Sequence, residues 1–136
     1  MTNVVPLPGS LDSHDLAWAA GIFDGEGSVG AYTWGESKNL RVSIQVGNTC
    51  LLMISKFHDM FGGYVATTKK ARKNGQPYYT WRCRSGYQEF FLRSVLPYLV
   101  TKREQAEVAL TFLGTKDRSV HANCAEQLRF LKKKVS

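Results

Sequence analysis

Apolar residues recur along this chain with two alternating periods, and the alternation lays out its elements. Asp12 or Ser13 can cap a helix, Asp15 suits the positive end of its dipole, and the pattern predicts a helix to about Phe23 or Asp24. A Gly-rich corner at Gly25 and Gly27 follows. The period then becomes two. Leu40, Val42, Ile44 and Val46 alternate with Arg41, Ser43 and Gln45, the mark of a half-buried strand. A partner strand over Ser28 to about Trp34 reaches it through a turn at 35–39.

Helical spacing returns from about Thr49 to Phe61, where Leu52, Ile54, Phe57 and Phe61 are expected to be buried and Gly62-Gly63 to end the helix. A second hairpin should pair Tyr64 to about Lys70 with Tyr78 to Arg84, with Tyr79, Trp81 and Cys83 on its core side. Helices over about 87–96, 102–113 and 120–133 complete the pattern, with Pro97 stopping the first of them. Residues 1–10 read as an extended arm and 11–136 as one domain. Antiparallel hairpins separated by helices predict an α+β fold of order α-β-β-α-β-β-α plus extra C-terminal helices.

Helices that follow each hairpin return to the same side of the sheet, so the other face should stay open. Its candidate residues are Tyr32, Trp34, Arg41, Ser43, Gln45, Thr68, Lys70, Arg82 and Arg84. Arg, Lys and Gln on strand rungs can make bidentate contacts with base edges in a major groove. The turn region 69–73 adds four positive charges, Arg72 among them.

Composition supports that direction. Eighteen basic against eleven acidic residues give a net charge of +7, which favours polyanions, nucleic acid before an anionic membrane. No apolar run approaches the ~20 residues needed to span a bilayer, and the first ten residues lack the basic and apolar regions of a signal peptide. Three widely spaced cysteines argue against a disulfide framework or zinc cluster. The expected setting is therefore intracellular, a prokaryotic cytoplasm or an organelle, with no membrane partner and no small-molecule substrate.

The chemistry concentrates at Asp24 and Glu26, two carboxylates at the glycine corner. Magnesium prefers such hard oxygen ligands, and beside a basic surface they suggest a metal-dependent nuclease. Ala17, Gly21 and Gly25 recur every fourth residue with Ala20 beside them, a shallow stripe that lets two helix backbones approach closely. The same residues would also suit a crowded core. His14, His58 and His121 fall on three different helices and do not suggest a shared base.

The nonapeptide Ala19-Ala-Gly-Ile-Phe-Asp-Gly-Glu-Gly27 resembles the LAGLIDADG motif of homing endonucleases, with Ala for the first Leu and Glu for the second Asp. Gln45-Val-Gly-Asn48, Gly62-Gly-Tyr64-Val and Leu96-Pro-Tyr-Leu-Val-Thr-Lys102 carry the likeness through roughly residues 12–113, as in the single-motif branch. The resemblance implies a sheet saddle that straddles double-stranded DNA. It implies a homodimer about Ala17, Ala20, Gly21, Asp24 and Gly25, and hence a near-palindromic target.

By the same resemblance, Glu26 and the Gly25 carbonyl bind Mg2+ or another divalent cation such as Mn2+, while Asp24 secures the helix end. Lys102 becomes the active-site lysine, and Asn48 a polar residue that orders water. The implied activity is sequence-specific double-strand cleavage. The competing reading is a nucleic-acid binder without cleavage, an intron maturase or a transcription regulator on the same scaffold.

Overall fold

A computed structural model describes residues 11–68 and 75–135 of the chain. Five helices, α1 (Ser13–Glu26), α2 (Leu51–Phe61), α3 (Gln88–Val95), α4 (Arg103–Leu113) and α5 (Arg118–Val135), accompany four strands. The strands are β1 (Gly27–Thr33), β2 (Leu40–Asn48), β3 (Tyr64–Thr68) and β4 (Tyr78–Arg82). They form one antiparallel sheet in the order β1-β2-β4-β3, so the two hairpins meet along β2 and β4. The fold is α+β, as the periodicity predicts. The arm at 1–10, Lys70 and Arg72 lie outside the described residues.

Register confirms the two-faced sheet. Val29 stands opposite Ile44, Ala31 opposite Val42, and Val46 opposite both Gly27 and Trp81. These side chains point toward the helices and are buried. Beneath them the rings of Phe57, Phe61, Trp81 and Phe91 form one aromatic cluster, with Phe61 and Phe91 edge to face at 4.8 Å. The Trp81 indole N–H donates to the Gly62 carbonyl at 2.7 Å and ties the end of α2 to β4. Gly62 (φ 69°) and Gly63 (φ 88°) make that turn in the left-handed region, where only glycine is unstrained.

Three expectations need correction. The helix does not break at Gly25: α1 runs on to Glu26, and Gly27 closes it in an extended conformation. Leu52 is 83 % exposed, while Met60 is buried. Leu52 stands two residues before Ile54, about 200° around the helix, so the two cannot share a face. The fourth strand closes at Arg82 rather than Arg84, because the chain turns into a 3-10 segment over Ser85–Tyr87. No helix among the described residues is long and apolar enough to cross a membrane.

Candidate active site and nucleic-acid face

The last turn of α1 treats its two acids differently. The Asp24 carboxylate is fully engaged. It accepts the backbone N–H of Val100 at 2.9 Å on Oδ2 and that of Lys102 at 3.0 Å on Oδ1. Its carbonyl accepts Thr101 Oγ1 at 3.2 Å and Lys102 Nζ at 2.7 Å. Asp24 thus splices the motif helix to the segment that leads into α4, as a positioning carboxylate should. Glu26 is exposed, and among the described residues no hydrogen bond or ion pair claims its carboxylate. One acid is occupied by the fold and the other is not.

Lys102 is held beside both. Burial pushes its ammonium below the ordinary lysine value, while the charges of Asp24 and Glu26 pull it back up and Lys132 presses it down. Its bond to the Asp24 carbonyl uses one of three ammonium protons and leaves two for a substrate. A cavity of about 360 Å³ opens here, lined by Asp24, Gly25, Thr101, Lys102, Gln105 and Lys132 among others. Neither Gln105 nor Lys132 carries a local signal of catalysis. Lys132 belongs to a lysine run that reads as solvated surface, and Gln105 to a plain amphipathic helix.

Asn48 takes another place. It lies in β2 opposite Tyr79, and its Oδ1 accepts the Cys50 N–H at 2.8 Å, which shapes the entry to α2. It does not line the cavity around Lys102. Of the small residues on α1, Ala17, Gly21 and Gly25 are exposed, and a Cβ added at either glycine meets nothing within 4 Å. Ala20 is fully buried in the chain's own core. Gly27 is the opposite case from Gly21 and Gly25, because a Cβ there collides with the ring and carbonyl of Phe23.

The face away from the helices carries Tyr32, Arg41, Ser43, Gln45, Thr68 and Arg82 by register. Ser43 is nonetheless only 5 % exposed, covered by its larger neighbours. Trp34, just past β1, lies 5.1 Å from the Arg82 guanidinium. Arg84 sits 5.9 Å from the rings of both Tyr64 and Tyr87. Such stacking restrains a guanidinium without neutralising it. Tyr32 and Tyr78 fold over Gly30 and Gly47, the glycines of this face.

A divalent ion fits only half of this site. Among the described residues no three acidic, His or Cys side chains gather as a ligand set. One free carboxylate and a neighbouring carbonyl are what a protomer offers. Magnesium commonly accepts one or two carboxylates plus phosphates and water, so this donor set fits part of its shell.

No family model matches the chain, and no curated protein matches it. Solved structures do. I-CvuI, a homing endonuclease solved with its DNA target in the presence of calcium, is 25 % identical over 88 % of this chain and 85 % of its own, at a TM-score of 0.67. A second I-CvuI complex, formed with magnesium, gives 26 % identity and a TM-score of 0.63. I-Vdi141I, an archaeal intron-encoded homing endonuclease bound to DNA, gives 15 % identity over 90 % of this chain and 82 % of its own, at a TM-score of 0.58. I-SmaMI, a LAGLIDADG homing endonuclease bound to cleaved DNA, is 20 % identical over 93 % of this chain but only 44 % of its own, at a TM-score of 0.54.

Proposed function

The chain has the fold and the motif of LAGLIDADG homing endonucleases, and from that premise we propose that it cuts double-stranded DNA at a specific sequence, as a homodimer using a divalent cation. The observation that carries this reading is the unequal fate of the two acids. A scaffold that only bound DNA would have no use for an uncommitted Glu26 beside a half-buried Lys102.

The bare side of α1 supports the dimer. Close approach there buries Ala17, Gly21 and Gly25 against their symmetry mates, and carries the two Glu26 carboxylates toward the dyad. That I-SmaMI is matched over less than half its length fits one protomer here serving as half of an assembly. Glu26 and the Gly25 carbonyl would hold the cation, which when bound neutralises phosphate charge and lowers the pKa of its water. In the hydrolysis the P–O bond to one deoxyribose breaks as a new P–O bond to water forms, the water giving up a proton and the leaving oxygen taking one up. Lys102 steadies the negative charge that grows on the phosphate oxygens, or polarises the attacking water. Arg41, Gln45, Arg82 and Arg84 on the open face read bases in the flanking grooves. Tyr32, Trp34 and Thr68 complete that surface.

Incubation with a randomised duplex library and magnesium tests the proposal directly. Cutting at one recurrent, near-palindromic sequence is expected, with Glu26→Gln still binding that sequence and no longer cutting it. Specific binding without cutting by the wild-type chain would leave a nucleic-acid-binding protein in place of a nuclease.

A further inference from the structure

The cavity behind Glu26 holds two polar groups for which the cleavage scheme has no part. Gln105 on α4 is 3 % exposed, and no described residue hydrogen-bonds its carboxamide. No described buried side-chain N or O is both sealed from solvent and unpartnered, so that carboxamide keeps its access through the cavity it lines. A buried amide without a protein partner costs free energy unless something in the cavity bonds to it. Lys132, on α5, lines the same cavity from another direction. Its charge reaches Lys102, so two ammonium groups repel each other over a common space.

Two cations and an amide donor converging on a cavity of about 360 Å³ make a site for an oxyanion. The fold builds this arrangement from three separate places: the segment after α3, the first turn of α4, and the last turns of α5. The Asp24 carboxylate also lines this cavity, and the backbone N–H groups of Val100 and Lys102 that it accepts offset part of its charge.

We propose that Lys132, Lys102 and Gln105 form a phosphate subsite, which grips a DNA backbone phosphate beside the one to be cut. Lys132 and Gln105 are positioning residues in this scheme. They hold the strand so that the neighbouring phosphate meets Glu26 squarely. The inference rests on the endonuclease reading for its ligand, while the two ammonium groups and the amide by themselves point to an oxyanion.

Inorganic phosphate is the probe, titrated into the full chain while the Gln105 side-chain amide is followed by 1H–15N NMR. The Gln105 amide pair should shift with phosphate in the wild type. It should stop shifting in Lys132→Ala and keep shifting in Lys134→Ala, a control on the same helix outside the cavity. An unmoved Gln105 amide, a shift that survives Lys132→Ala, or one equally lost in Lys134→Ala overturns the subsite. Both lysines are exposed, so neither variant threatens the fold.

Duplex binding then places the subsite in the reaction. Lys132→Ala should weaken binding about tenfold and lower the salt slope by about one per chain. The two readings fail separately. Phosphate binding here without any duplex cutting removes the nuclease and keeps the site, while cutting with a silent Gln105 removes the site and keeps the nuclease.

Discussion

The two sides of α1 make the sharpest contrast in the molecule. Its inner side, with Ala19, Ala20 and Phe23, is fully buried, and Gly27 below it has no room for a methyl group. On the outer side Ala17, Gly21, Gly25 and Glu26 are exposed, and its glycines face open space. Both sides use small residues, for unrelated reasons. Inside, smallness satisfies the protomer's own packing. Outside it satisfies nothing within the chain, and that is the side that the proposed dimer and its chemistry would use.

Charge changes at the helix end should break the contrast most visibly. Glu26→Gln is expected to cost about a thousandfold in cleavage, near 4 kcal/mol in the barrier, with the melting temperature unmoved. Asp24→Asn should do the reverse in part: it turns an acceptor toward a backbone N–H into a donor, for a loss of about 1.5 kcal/mol in urea denaturation. If Glu26→Gln lowers stability as much as Asp24→Asn, the division of labour between the acids is wrong.

Size changes test the same contrast more gently. Gly27→Ala should destabilise the fold by about 1–3 kcal/mol, since the Phe23 ring and backbone must both give way. Gly21→Leu should leave circular dichroism intact while sedimentation equilibrium shows the dimer weakened at least tenfold, on the order of 1.4 kcal/mol. A Gly21→Leu protein that still dimerises fully would move the interface elsewhere.

The smallest effect concerns Lys102, whose charged form the fold disfavours. Because its folded value lies below the ordinary 10.5, the unfolded chain binds the proton more readily between the two values. Stability contributed at this position therefore rises as pH climbs through that window. Urea titrations of wild type against Lys102→Met across it should show the wild type gaining. A wild type that loses ground with rising pH contradicts the burial of this ammonium.

Much of the fold was legible in the chain because local periods and glycine chemistry are local physics. The alternation at Leu40–Val46 gave β2 and its facing, and Gly62-Gly63 marked the end of α2. The motif singled out Asp24 and Glu26 as a pair, yet their different duties depend on backbone donors 76 and 78 residues later. The persistence of α1 through Gly25 is also nonlocal. Propensity favours a break at glycine, and the contacts from Val100, Thr101 and Lys102 anchor that final turn instead.

What the amino-acid order settled by itself is the run of elements, the basic character and the acidic glycine-rich helix end. Each of these follows from a residue and neighbours within a turn or a strand rung. Tertiary structure alone decided that Ala20 faces inward, that Ser43 is covered, and that Lys132 and Gln105 meet Lys102 over one cavity. Those outcomes depend on where α4 and α5 come to rest against the sheet. Packing between distant segments sets that, and no local pattern encodes it.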